Sequence, residues 1–381
     1  FNTFKTFAKK FPEQASAAYN MMSYAYLRGD YGEPNQEMAM DYIERSQQMH
    51  YGPNSYDSMA EHYASIGEYQ KALELQLKAV DFAQFGSPYW NFASIYYAKV
   101  NQEDISKQLI KNQKAEPNLT NESDDFVEYT LKAVELCHKS FLNKDNKFLH
   151  SVDIVISEKC TLNCKDCANL MQYYEDAKNI DYEMVIRDFE NLVSKIEHVF
   201  EVRLIGGEPF VNKDIYKIID YFLESSKITK LVVYTNATIP LKAELMKKYV
   251  TPKLVFIVTD YGDLSKNTTK VTDLLSEMNV AFRSLPPNNW TDSAGIGDQK
   301  RTEDGMIDIF ERCCGKNLFT IMYGKLYRCP FTANAERLHA IPFNSKNGIS
   351  LKASIDDIVE YTSGIKYLPA CNFCNGRSHD A

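Results

Sequence analysis

Residues 159–168 read KCTLNCKDCA and place Cys160, Cys164 and Cys167 with three and then two residues between them. A closed structural zinc site takes four ligands, and a redox disulfide takes two sulfurs. Three thiolates on a cubane of four irons leave one iron without a protein ligand. An open metal position is what coordination of a second molecule requires. A zinc site completed by a ligand from elsewhere in the chain is the other chemistry open to this trio. A second group of thiols follows at the C-terminal end. Cys314 is separated from Gly324 by nine residues and Gly324 from Cys329 by four, and Cys371 and Cys374 stand as Cys-x2-Cys. Four thiolates close a coordination sphere around zinc or around an iron–sulfur cluster. Either Cys314 or its neighbour Cys313 serves this set, which leaves one thiol of the pair spare.

These residues need elements to position them. Strand-like runs occur at VDIVIS, EVRLIGG, KLVVYTN, KLVFIVTD and VAFRSLP, separated by amphipathic stretches such as EMVIRDFENLVSKIEHV and KDIYKIIDYFLESS. Short β-branched runs alternating with helices of that length predict parallel strands joined by right-handed crossovers. Five or six such units predict an incomplete (β/α)6-type barrel, an α/β fold, over residues 149–290. In such barrels the loops after strand C-terminal ends form the working face, and Cys160, Cys164 and Cys167 fall in the loop after the first strand. From about residue 286 the alternation stops: PPNNWTDSAGIGDQ reads as a loop, and LFTIMYGKLYRC reads as a hairpin turning at Tyr323 and Gly324.

The Cys-x3-Cys-x2-Cys spacing, with Thr161, Leu162 and Asn163 inside it, resembles the signature of radical S-adenosylmethionine (SAM) enzymes. The resemblance implies a [4Fe-4S] cluster whose open iron is chelated by SAM, one-electron cleavage of SAM to a 5'-deoxyadenosyl radical, and hydrogen abstraction from a substrate C–H bond. Gly206-Gly207-Glu208-Pro209, at the end of the second strand, resembles the family's GGEP motif, which implies a segment that holds the SAM ammonium. Alone, the four residues also fit a tight turn. Thr235 and Asn236 end the third strand, where the resemblance places polar contacts to the ribose. Asp166 departs from the pattern, which carries an aromatic residue before the third cysteine, packed near the adenine. The C-terminal spacing resembles the single-cluster twitch form of the auxiliary-cluster (SPASM/twitch) region and implies a second, auxiliary [4Fe-4S] cluster on Cys314, Cys329, Cys371 and Cys374, within a subdomain over residues 291–381. Cys313, if unused, is then a candidate hydrogen-atom donor to a substrate radical, or simply a packed thiol. Trp290, Asp292, Arg301, Tyr173 and Tyr174 are candidates for lining a substrate pocket.

The N-terminal residues have another character. Ala60, Tyr63, Gly67, Ala72 and Ala79 have the spacing of a two-helix hairpin, and Ala93 and Tyr96 repeat Ala60 and Tyr63 after 33 residues. Residues 1–120 resemble tetratricopeptide or Sel1-type repeats, an all-α domain that docks a peptide or protein or packs as a lid. Residues 121–148 are expected to be a linker and a bridging helix (126–142), with the polar stretch EPNLTNESDD, residues 116–125, as the boundary.

The 381 residues carry 43 Lys and Arg against 51 Asp and Glu, for a net charge of -8. No basic stripe occurs, which argues against nucleic acid and against an anionic membrane as partners. No apolar run approaches the ~18 residues of a membrane span and no signal-peptide pattern opens the sequence. Eight of nine cysteines stand at or after residue 160 in tight groups. Clustered thiols in a long chain predict metal or cluster binding in a reducing, cytoplasmic compartment. Cys137 is read as a buried small hydrophobe. The expected partners are a small-molecule or glycan substrate, with a peptide or protein docked on the repeats as the alternative, and an electron donor such as flavodoxin or ferredoxin. A non-catalytic redox-sensing or zinc-stabilised interaction scaffold is the competing class.

Overall fold

In the N-terminal half, alanines at helical spacing let helices approach closely. The helices are α1 (Asn2–Lys10), α2 (Ala15–Arg28), α3 (Gln36–Met49), α4 (Pro53–Ser65), α5 (Tyr69–Val80), α6 (Pro88–Lys99), α7 (Glu103–Asn112) and α8 (Asp124–Leu142). Consecutive helices pack on one another. Ala39, Ala60, Ala72, Ala79 and Ala93 are fully buried at these contacts, and Ile43, Leu73, Ile95 and Tyr96 fill the space between them. The repetition of Ala60 and Ala93 is therefore a repeated packing position. Gly67 turns α4 into α5 at φ +82°, a conformation that costs glycine little.

The computed structural model describes all residues except 1, 13–14, 31, 50–52, 82–87, 113–118, 121–123, 144, 287–294, 314 and 377–381. Two compact units make up the chain, Phe1–Asn146 and Lys147–Ala381, so α8 belongs with the helical unit.

The second unit is built on a sheet. Its strands are β1 (Phe148–Ser157), β2 (His198–Gly206), β3 (Ile228–Thr235), β4 (Leu254–Thr259) and β5 (Ala281–Leu285), followed by the short β6 (Thr320–Met322), β7 (Lys325–Tyr327) and β8 (Gly348–Ser350). They stand in the order β5-β4-β3-β2-β1-β6-β7-β8. All pairs from β5 to β6 are parallel; β6–β7 and β7–β8 are antiparallel. The α/β reading with a mostly parallel sheet is what the chain adopts. One strand was assigned differently in the sequence: β6, read only as half of a C-terminal hairpin, is also the sixth parallel strand, with Asp153 opposite Thr320 and Ile154 opposite Ile321. Three residues are too few to show a periodicity of their own.

Crossover helices α9 (Tyr182–Val193), α10 (Ile215–Glu224), α11 (Ala243–Met246) and α12 (Thr268–Glu277) cover one sheet face. Each presents an apolar stripe, as in Ile215, Ile218, Ile219 and Phe222 of α10. Those side chains meet Val152, Ile154, Val202, Leu204, Leu231, Val233 and Phe256 in the main core. Burying each large apolar side chain contributes about 1.5–3 kcal/mol. The run read as one helix, residues 183–199, stops at Val193: Ile196 is buried in the approach to β2 and Val199 is already in that strand. Asp188, buried on α9, accepts from the backbone N–H of Gly324 at 2.7 Å and so fixes the β6–β7 turn. Tyr323 (φ 48°) and Gly324 (φ 77°) make that turn with the two positive φ values that suit the twist of a tight hairpin. Helices α13 (Glu303–Arg312), α14 (Pro330–Arg337) and α15 (Ile355–Val359) complete the unit.

Candidate functional site

The cysteine loop leaves the C-terminal end of β1 and is stitched to the end of β2 through the backbone. Gly207 N–H donates to Ser157 O and Glu208 N–H to Lys159 O, both at 2.9 Å. Side chains add to this: the Lys159 N–H donates to Ser157 Oγ at 3.0 Å, and Asn169 Nδ2 donates to Gly206 O at 3.2 Å. The approach is close enough to exclude a side chain. A Cβ on Gly206 would lie 2.2 Å from Ser157 O, and one on Gly207 would lie 2.3 Å from Lys159 O and 2.7 Å from the Cys160 Cβ. Both glycines are thus required by the contact with the cysteine loop.

Glu208 is fully buried behind this contact. Its carboxylate accepts from Phe210 N–H (3.1 Å), Thr235 Oγ1 (3.0 Å) and Asn236 N–H (2.7 Å). Burial raises its pKa, and these three donors act in the opposite direction. Pro209 opens the short turn that Glu208 caps. Asn236 reaches back to the loop, its Nδ2 lying 3.1 Å from Thr161 Oγ1 and 3.7 Å from Cys160 Sγ. Thr161 and Thr238 also share a hydrogen bond. Gly206, Gly207, Glu208, Thr235, Asn236 and Cys160 are therefore one hydrogen-bonded assembly, drawn from the ends of β1, β2 and β3, with Pro209 in its turn and Cys164 and Cys167 on the same loop as Cys160.

Tyr261, beyond β4, was not singled out in the sequence. Its N–H donates to Ser265 Oγ, which donates to Asn236 O at 2.6 Å, and its phenol lies within electrostatic reach of Cys164, Cys167, Cys160 and Glu208. Burial, followed by those groups, pushes the phenol up to about 12. A lone Tyr in a loop gives no periodic signal, so only the fold brings it here.

Cys160, Cys164 and Cys167 are free thiols. Burial pushes Cys160 up to about 11, with Glu208, Cys167 and Cys164 adding to the effect, and burial also raises Cys164. Such thiols stay protonated at neutral pH unless a metal replaces the proton. The donor set fits an iron–sulfur cluster held by three sulfurs: three thiols on one loop, a buried carboxylate behind them and a backbone too close for any Cβ.

The C-terminal thiols come together in the same unit. Cys313, Cys329, Cys371 and Cys374 line one cavity, with Ala168, Phe310 and Leu368 among its other walls. Cys313 ends α13; Cys329 precedes α14 at its N-terminus, where the helix dipole favours a thiolate. Burial pushes Cys329 up to about 11 and Cys371 up to about 12. Cys314 lies outside the described residues, as do Trp290 and Asp292. Among the described residues no three Cys, His, Asp or Glu side chains form a site for a single metal ion. The four thiols instead lie within electrostatic reach of one another on the wall of this cavity. The Nη1 of Arg301 donates to Cys371 O (2.7 Å) and Cys374 O (2.8 Å), tying down the Cys-x2-Cys turn. Tyr174 packs beneath Arg337 and donates to Asn334 Oδ1 at 2.8 Å, while Tyr173 is half-exposed.

The sheet face opposite the main core carries charge. Asp153 on β1 stands opposite Arg203 on β2, and Glu201 opposite Lys230 on β3. Arg203 Nε meets Glu201 Oε1 at 2.5 Å, and its Nη1 lies 3.7 Å from Asp153 Oδ1. Burial pushes Asp153 up to about 6, against the pull of Arg203. Glu201/Arg203 and Lys230/Tyr234 are polar pairs at period two or four within apolar strands, a signal that the sequence reading passed over.

Residues 154–267 match the family model of the radical SAM superfamily. The chain carries a radical SAM domain. The matched segment contains the cysteine loop, the GGEP turn and Asn236. The radical SAM cyclopropyl synthase TigE of Paramaledivibacter caminithermalis is 28% identical over 167 residues, 36% of this chain and 35% of that protein. The match thus spans about a third of the relative's length. Among solved structures, BtrN in complex with AdoMet and 2-DOIA is similar at a TM-score of 0.37 and 14% identity, over 58% of this chain and 85% of that one. Native anSMEcpe with bound AdoMet and Kp18Cys peptide is similar at 0.37 and 13%, over 61% and 92%. Streptococcus suis SuiB bound to S-adenosylmethionine is similar at 0.30 and 18%, over 61% and 55%. No helix among the described residues is long and apolar enough to cross a membrane.

Proposed function

We propose that the protein is a radical SAM enzyme in which Cys160, Cys164 and Cys167 hold a [4Fe-4S] cluster with one iron left for SAM, and that it abstracts hydrogen from a substrate C–H bond. The observation that carries this reading is the hydrogen-bonded assembly of cysteine loop, GGEP turn and β3 end inside the matched segment. Bound there, the cluster and SAM supply a carbon radical able to take hydrogen from an unactivated position; the chain's own residues position and shield it. Glu208 keeps an acceptor position on Oε2 beyond its three donors, in keeping with an ammonium group beside it. Thr235 and Asn236 orient that carboxylate. Tyr261, within electrostatic reach of the three thiols, is the aromatic ring we read as serving where Asp166 stands in place of the expected aromatic.

The second site is read as an auxiliary [4Fe-4S] cluster on Cys313, Cys329, Cys371 and Cys374. The cavity that Cys313 shares with Cys329, Cys371 and Cys374 supports Cys313 as the fourth ligand; Cys314 is the alternative ligand, and whichever thiol of the pair is unused stays the candidate hydrogen donor. The C-terminal region is accordingly read as twitch-like, and the helical pairs as tetratricopeptide-like. For the substrate, the charged sheet face supports a polar small molecule such as a sugar or glycan, oxidised or epimerised. The helical pairs support a second reading, a ribosomal peptide or protein docked on them; the likeness to a cyclopropyl synthase adds carbon–carbon bond formation to the possible outcomes.

Anaerobic reconstitution with iron and sulfide, followed by dithionite and SAM, tests the first reading. The expected product is 5'-deoxyadenosine, absent from Cys164→Ala. None from the wild type would leave the scaffold reading standing. About eight irons per chain are expected, against about four plus zinc if the second site is a zinc ribbon. Cys313→Ser is expected to lose half of the iron, whereas Cys314→Ser retains it.

A further inference from the structure

The helical unit holds a cavity of about 410 Å³, within the ~300–1,000 Å³ of small-molecule sites. Apolar side chains form most of its wall: Leu27, Pro34, Phe92, Ile95 and Leu142. Tyr96 and His138 also line it, and these two carry the polar atoms that lack partners. Tyr96 is 3% exposed, and among the described residues neither its hydroxyl nor His138 Nε2 has a hydrogen-bond partner. On its other edge, His138 Nδ1 faces Glu61 Oε1 at 3.6 Å, so Nε2 is the nitrogen left over. Two further lining residues, Lys99 and Lys139, bring their ammonium groups to the same oxygen of Glu135, at 2.9 and 3.0 Å. Two cations share one anion. Buried polar atoms without partners are uncommon in folded proteins and mark places where something else supplies the hydrogen bond.

We propose that this cavity is a binding site for a small apolar monocarboxylate, its body against Phe92, Ile95 and Leu142 and its carboxylate near the Tyr96 hydroxyl, His138 Nε2 and the Lys99–Lys139 pair. A single negative charge balances the two lysines and Glu135, and a carboxylate accepts from a phenol more strongly than a neutral oxygen does. A free acid and the terminal residue of a peptide share this chemistry. The site belongs to the helical unit alone and stands whether or not the radical SAM reading holds.

The test is equilibrium dialysis of the purified full chain against octanoate, phenylacetate and indole-3-acetate, their primary amides, and a tripeptide ending in phenylalanine with a free or amidated end. At least one acid is expected to bind in the low-millimolar range or tighter, about tenfold more tightly than its amide. Binding confined to the free acids identifies a metabolite, and tighter binding of the tripeptide with a free end identifies a peptide terminus. Tyr96→Phe is expected to weaken the acid about tenfold with the melting temperature unchanged or raised, since it removes an unpartnered group. Leu142→Trp, which fills the cavity, blocks binding while the circular dichroism spectrum is retained. Equal binding of acid and amide, no binding across the panel (ordered water only), or full affinity in Tyr96→Phe overturns the proposal.

Discussion

At Gly207 a single hydrogen atom separates a working loop from a collision. Any Cβ there meets Lys159 O at 2.3 Å and the Cys160 Cβ at 2.7 Å, and neither is the far end of a flexible chain. Gly207→Ala is therefore expected to push the cysteine loop away, at a cost of about 1–3 kcal/mol, and to lower iron retained after reconstitution; denaturant unfolding and iron assay check it. Glu208 poses a different problem, a buried carboxylate with three donors. Glu208→Gln replaces one acceptor oxygen by a donor facing another donor, so a loss of about 1–3 kcal/mol is expected together with weaker SAM binding. Glu208→Asp, too short to reach Asn236 and Phe210 together, is not expected to rescue either.

Between elements, charge pairs fix what apolar packing leaves free to slide. Glu158, buried at the end of β1, receives Arg337 from α14 at 2.8 Å, the Tyr323 hydroxyl from the hairpin at 2.9 Å and Lys178 N–H at 2.9 Å. The ion pair holds the helix that begins beside Cys329 against the strand that leads to Cys160. Arg337→Met is expected to destabilise the unit by about 2 kcal/mol, at the low end for a buried pair because water reaches the arginine, measured by denaturant unfolding. In the helical unit, burial pushes Glu61 up to about 8 and His138 down to about 4. The folded pair then keeps one proton up to about pH 8, whereas an unfolded histidine gives its proton up near 6.5. Between those values the folded state binds more protons, so this pair's contribution falls as pH rises, by about 2 kcal/mol. Glu61→Gln should remove that slope in melting curves taken across the window.

For the whole molecule, the division after Asn146 has a thermodynamic consequence. Each unit has its own core, one centred on Ala60, Ala72 and Ala93 and the other on Phe189, Phe222 and Phe256. Chains with separate cores need not unfold in a single step. Calorimetry is expected to show two transitions. Raising the pH from 6.5 to 8 should lower only the helical one, while Gly207→Ala should lower only the other. Movement of both transitions by either change would mean that the units unfold together.

The sequence by itself determined the chemistry that depends on residue type and short spacing. Three thiols in one loop, the GGEP turn and the β-branched runs with intervening amphipathic helices are local patterns, and the backbone geometry that they demand is local too. Thr235 and Asn236 could be placed at a strand end for the same reason. Only the tertiary structure decided which groups meet. It joined Asn236 to Cys160 and Thr235 to Glu208, brought Tyr261 to the thiols, placed Cys313 on the cavity wall with Cys329, Cys371 and Cys374, and turned Arg301 onto the Cys-x2-Cys carbonyls. It also made β6 a sixth parallel strand and set in one cavity two polar atoms, of Tyr96 and His138, that have no partner among the described residues. The physical reason is the same throughout: a side chain's partners lie tens or hundreds of residues away, and the spacing of neighbours along the chain carries no record of them.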